Sequence, residues 1–122
     1  MIAEVFTLAG TKHSTLHTAL GLSVEDRLPF ILRDAGWTEM PSPVAIQSFE
    51  VLHLKYLDTR ITVKLARLLD AEGVDKDGNI VLDPPYAQPY DFALSGDKRT
   101  YYDLLTKGGL AKIKACAAFL AP

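Results

Sequence analysis

Gln47 and Ser48 stand where an apolar run stops: Pro43-Val44-Ala45-Ile46 leads into one amide and one hydroxyl, and Phe49-Glu50 follow. Strands apolar on both faces belong to sheets covered on both faces, as in parallel sheets wrapped by helices, and ligands collect at the carboxyl ends of such strands. The run therefore reads as a strand feeding a polar site. Other chemistry-bearing residues are more weakly set. His13 and His17 have an i, i+4 spacing, but no glutamate lies between them as in a zinc helix, and the Ser- and Thr-rich surroundings predict a solvated loop. His53 is expected at or near the surface of a short helix. Asp75-Lys76-Asp77-Gly78-Asn79 invites comparison with a calcium loop, yet its glycine comes too early and no closing glutamate follows at the required spacing, which favours an Asp-Gly turn. Cys116, the single cysteine, has no internal partner and reads as a buried thiol on a C-terminal helix. The chain has no glycine-rich phosphate loop, nucleophile elbow or paired-cysteine motif.

The elements that must position these groups alternate. Val5-Phe6-Thr7-Leu8-Ala9, closed by Gly10, predicts a short strand, with Thr11-Lys12-His13 at its carboxyl end. Ser23 with Asp26 resembles a capping box, and Gly36 is a stop, which predicts a helix from about Val24 to Ala35. Pro29 conflicts with that start, and moving the cap to Asp26 places it in the first turn. The Gln47 strand leads to a short helix through Val51, Leu54, Tyr56 and Leu57, closed by Asp58-Thr59. Periodicity leaves Ile61 to Asp70 open between strand and helix. Asp75 to Asn79 turns between short extended pieces, and Pro84, Pro85 and Pro89 argue against regular structure. Thr100 with Asp103 caps a short helix, and Thr106 starts another with an apolar stripe at Leu110, Ile113, Ala117 and Leu120, in or just after which the chain ends.

Composition bounds the function classes. At 122 residues, 48% hydrophobic and 23% charged, the chain reads as one domain able to bury a core. A formal charge of -2 without long runs of either sign gives no field for nucleic acid or an anionic membrane. No segment nears the roughly 20 apolar residues of a bilayer span. Met1 to Phe6, with Glu4 and no basic start, makes a poor signal peptide.

Three segments carry a family resemblance. Thr11-Lys12-His13-Ser14-Thr15, then Gly21-Leu22-Ser23-Val24-Glu25-Asp26, then Pro43 to Glu50 resemble, in the same order, the middle of glycerophosphodiester phosphodiesterases; Leu68-Leu69-Asp70 and Tyr90-Asp91-Phe92 continue the match. The similarity runs from about Lys12 to about Lys114. The resemblance implies an α/β fold, about half of a (β/α)8 TIM barrel, with 1–122 a partial domain whose opening strand is the barrel's fourth, the Gln47 strand its fifth and Leu65 to Leu69 its sixth. A whole barrel takes roughly 250 residues. It implies metal-dependent hydrolysis of glycerophosphodiesters to glycerol 3-phosphate and an alcohol, with calcium or magnesium as the cation.

The departures matter as much. The family's acid-base histidines stand in His-Arg and His-Asp motifs upstream of this region, and neither Arg nor Asp follows His13, His17 or His53. No catalytic residue is therefore carried over. Lys12 matches the family's phosphate-contacting lysine, but Gly10 stands where its metal-ligating Glu should be, and Glu4 is too distant. No metal ligand is carried over, and the cation is expected to bind poorly. The implied substrate-binding set is Lys12, Gln47, Ser48 and Phe49, with Gln47 in the barrel interior and Asp70 orienting Lys12 or capping a turn. After the last helix the family's Gly-Ile-Gly-Pro strand is replaced by Ala117 to Pro122. The expected outcome is a catalytically incomplete chain whose open strand edges favour self-association; the alternatives are a non-catalytic half-barrel binding or assembly module and a gene remnant. Relatives of this type are often exported, whereas the poor signal peptide makes a cytoplasmic location the default expectation.

Overall fold

The computed structural model describes residues 6–8, 14–70, 73–84 and 87–121. Lys12, Gly10 and His13 lie outside the described residues. Four strands, β1 (Phe6–Leu8), β2 (Val44–Ser48), β3 (Lys64–Leu68) and β4 (Phe119–Ala121), form one parallel sheet in chain order. The register pairs Leu8 with Ile46, Gln47 with Ala66, Ser48 with Arg67, and Ala66 with Phe119. Parallel neighbours require crossovers, and helices supply them. α1 (Ser14–Ala19) and α2 (Val24–Asp34) join β1 to β2, and α3 (Val51–Asp58) joins β2 to β3. α4 (Tyr90–Ser95), α5 (Tyr101–Leu104) and α6 (Lys107–Lys114) precede β4.

Side-chain alternation divides the sheet into two faces. Val44, Ile46 and Leu65 point toward the helices and build the main core with Leu32 of α2, Leu54 and Leu57 of α3, Ile61 and Val63. Truncating one such aliphatic residue to Ala ordinarily costs about 2–5 kcal/mol. A second cluster of Phe92, Tyr101 and Leu104 packs against Val51, Leu69, Leu82 and Ile113, fixing α4 to α6 beside α3. The opposite face carries Ala45, Gln47, Ala66 and Phe119. It is open at its β3–β4 end, where the exposed Lys64 ammonium lies 5.5 Å from the centroid of the exposed Phe119 ring. Among the described residues both outer strands, β1 and β4, lack a further neighbour.

Several local expectations are corrected. The cap of α2 stays at Ser23, whose hydroxyl accepts from the Asp26 N–H at 3.1 Å, and Pro29 sits inside the helix. A mid-helix proline costs roughly 3 kcal/mol; here its ring is buried beside Leu32, and Tyr56 holds Asp26 by a side-chain hydrogen bond, so tertiary packing outweighs the local rule. His17 lies in α1, not in a loop. Pro89 does not prevent regular structure but precedes α4 as its cap residue, where a missing N–H removes no helical hydrogen bond. The apolar stripe through Leu120 is broken: α6 ends at Lys114, and the Ala118 N–H bonds the Leu65 carbonyl at 2.8 Å, drawing the chain onto β3 as β4. Cys116 consequently lies beyond the helix and is half-buried. Asp75 to Asn79 is the expected turn, between the short antiparallel segments Gly73–Val74 and Ile80–Val81. Asp75 carboxylate oxygens accept from the backbone N–H groups of Asp77 and Asn79 and the Asn79 side chain, while Gly78 takes φ 85°. Among the described residues no helix is long and apolar enough to cross a membrane.

Candidate functional site

Gln47 and Ser48 end β2 together but turn to opposite faces, because side chains alternate along a strand. Gln47 is half-buried on the opposite face, beside the buried Ala66 of β3. Ser48 is fully buried on the helix side. Its Oγ accepts from the Glu50 N–H at 3.1 Å and lies 3.1 Å from His53 Nδ1. This hydroxyl therefore anchors the turn from β2 into α3 and has no solvent-accessible path to a ligand. Phe49, half-buried, is the first residue beyond the strand. Of the expected binding set, the described residues place Gln47 and Phe49 near one strand end and send Ser48 behind the sheet.

His53 is not a surface side chain; it is fully buried in the first turn of α3. The structure buries four further polar residues, Ser48, Glu50, Arg67 and Asp91; Ser48 meets His53, and Arg67 shares electrostatic interactions with Asp91 and Glu50. Asp91, in the first turn of α4, reaches 39 positions back along the chain, and its Oδ2 accepts from the Leu52 N–H at 3.0 Å. Glu50 makes no side-chain cap bond as N-cap of α3. Asp91 thus satisfies one of the helix's free N-terminal donors, and its negative charge suits that end of the helix. Burial nevertheless raises the Asp91 carboxyl above its ordinary range, with the Leu52 bond opposing and the Glu50 charge adding to the rise.

Arg67 follows Leu65 on the helix side of β3 and is 1% exposed. Among the described residues none of its three guanidinium nitrogens has a hydrogen-bond partner. Burial lowers its pKa, while Tyr101, Asp91, Cys116 and Glu50 work in the opposite direction. The guanidinium carbon sits 5.9 Å from the centre of the Tyr101 ring, and burial pushes that phenol up to about 12. A cavity of about 300 Å³ adjoins this cation between α3, α4 and α6. Leu54, Phe92, Leu104 and Ile113 supply apolar wall, and Lys55, Arg99 and Lys112 add positive charge.

Sequence reading missed Glu50, Arg67 and Asp91. The available signal was a charged residue interrupting Leu65-Ala66-Arg67-Leu68-Leu69, since an arginine within a buried strand requires a polar environment. Asp91 carried no comparable local signal, because its partner is remote in sequence.

Comparison with protein-family models, with curated proteins and with solved structures gives no match for this chain.

Proposed function

We propose that this chain is the central arc of a glycerophosphodiester phosphodiesterase barrel, a phosphoric diester hydrolase scaffold that is catalytically incomplete by itself. The observation that carries the reading is the run of sequentially ordered parallel strands with helices packed on one face and Gln47 on the other. In a (β/α)8 barrel the helices form the outer ring, the opposite face lines the interior, and ligands bind at strand carboxyl ends. Gln47 is the penultimate residue of β2 and Phe49 follows the strand, which supports this reading, and Lys12 comes four positions after β1 in the sequence.

Phosphodiester cleavage needs proton transfer and stabilisation of the phosphoryl oxygens. The histidines that the resemblance requires for proton transfer are in His-Arg and His-Asp motifs that this sequence does not contain. His53 is buried on the helix side, and His17 is on α1. The residues also do not fit the implied divalent cation. Gly10 offers no carboxylate at the ligand position, and no three His, Cys, Asp or Glu side chains converge among the described residues. No step is therefore assigned to a metal. The chain is expected to release glycerol 3-phosphate from glycerophosphocholine at the buffer rate with calcium or magnesium present. Turnover of about 1 s⁻¹ or faster, the range of ordinary enzymes, contradicts the incompleteness.

Among the described residues the edges of β1 and β4 have no neighbouring strand, which supports a second reading, an assembly module that joins another copy edge to edge. Sedimentation tests it: concentration-dependent dimers support the reading, and a monomer at high concentration opposes it.

A further inference from the structure

We propose that the cavity between α3, α4 and α6 binds a small amphiphilic oxyanion, its head group on Arg67 and its apolar body against Leu54, Phe92 and Ile113. This site lies on the helix side of the sheet, remote from the Gln47 face, and does not depend on the phosphodiesterase reading. Its foundation is Arg67, 1% exposed at the cavity wall, with all three guanidinium nitrogens unpartnered among the described residues. A buried cation without hydrogen bonds is unfavourable, and a carboxylate or phosphate matches the planar guanidinium fork with two parallel bonds.

The surrounding charges favour an anion. Lys55, Arg67, Arg99 and Lys112 line the cavity against two carboxylates, Asp91 and Asp97. Asp97 is engaged by Arg99, with a 2.6 Å ion pair and further bonds at 3.0 and 3.1 Å. Asp91 directs one oxygen to the Leu52 N–H, and its Oδ1 has no hydrogen-bond partner among the described residues. Glu50 is buried nearby and contributes negative charge to Arg67 from outside the cavity lining. The lining therefore keeps an excess of positive charge around an apolar space. At about 30 Å³ per water-sized group, 300 Å³ has room for roughly ten heavy atoms. Octanoate has that size and the required chemistry. A short alkyl phosphate shares it, so the two head groups form separate arms of the test.

Cys116 lines the same cavity and reports on it. Alkylation of Cys116 by iodoacetamide is followed in the full chain with octanoate, hexyl phosphate, or octanol as the neutral match, alongside thermal unfolding. Octanoate or hexyl phosphate is expected to slow alkylation and raise the unfolding temperature, with octanol weaker by about tenfold or more in the concentration required. The stronger of the two anions identifies the head group. Arg67→Gln is expected to remove the advantage of the anions over octanol. Equal action by octanol in the unsubstituted protein overturns the proposal, as does failure of both anions to protect Cys116; neither result requires the variant to fold.

Discussion

Replacing Ser48 with Ala separates a structural hydroxyl from a ligand-binding one. In the folded chain the Ser48 Oγ accepts from the Glu50 N–H and is joined to His53 Nδ1, each at 3.1 Å, and all three residues are fully buried. Alanine deletes that oxygen, so both groups lose this partner inside the protein. Each hydrogen bond lost contributes about 0.5–1.5 kcal/mol, which gives roughly 1–3 kcal/mol for the two. A domain of this size holds only about 6–15 kcal/mol, so the loss is large enough to move a urea midpoint clearly. Unfolding is followed by far-ultraviolet circular dichroism and by Trp37 fluorescence, with linear extrapolation to water. The same variant, kept below its new midpoint, should bind glycerophosphocholine like the unsubstituted chain. A stability change below about 0.5 kcal/mol combined with weakened ligand binding would refute the structural role and return Ser48 to the ligand.

Asp91→Asn keeps an oxygen for the Leu52 N–H and removes a carboxyl whose pKa burial raises above 3.8. A raised pKa means that the folded state holds the proton more tightly: the stabilisation is complete below the ordinary value and is lost as pH rises through the folded one. The unsubstituted protein should therefore lose stability relative to Asp91→Asn as pH rises above 3.8, and urea titrations at successive pH values that show the reverse slope oppose this. A Cβ on Gly109 would collide with the backbone carbonyls of Leu104 and Asp103, whereas Gly108 in the same helix faces open space. Gly109→Ala should cost about 1–3 kcal/mol and Gly108→Ala should add about 0.5–1 kcal/mol, a difference in sign that thermal unfolding resolves. Gln47→Ala, on the face opposite the helices, should weaken glycerophosphocholine binding while changing stability by less than about 1 kcal/mol; calorimetric titration with unaltered affinity argues against that face.

Local signals made the alternation of elements readable. Ser23, Thr100 and Thr106 are polar caps that act within three residues of themselves, and each begins a helix in the structure. The Asp75 turn is equally local. What remained hidden was set by contacts distant in sequence. Phe119-Leu120-Ala121 looks like the continuation of an apolar helix stripe until Ala118 meets the Leu65 carbonyl. The cluster behind the sheet follows the same logic: Ser48 and Arg67 come together through strand register, and Asp91 joins α4 to α3 from 39 positions away. Gln47 could be assigned to a strand end from its neighbours, but the opposite orientation of Ser48 is a consequence of strand alternation that a motif reading treating Gln-Ser-Phe as one unit passed over.

The most direct test is an amide correlation spectrum of the ¹⁵N-labelled chain, titrated with glycerophosphocholine in the presence of calcium. Saturable shifts centred on Gln47, Phe49 and Asp70, with the phosphodiester left intact, are the expected result for an incomplete barrel arc whose ligand side is the face opposite the helices. Shifts confined to α3, α4 and α6, or conversion of the ligand to glycerol 3-phosphate, would contradict it.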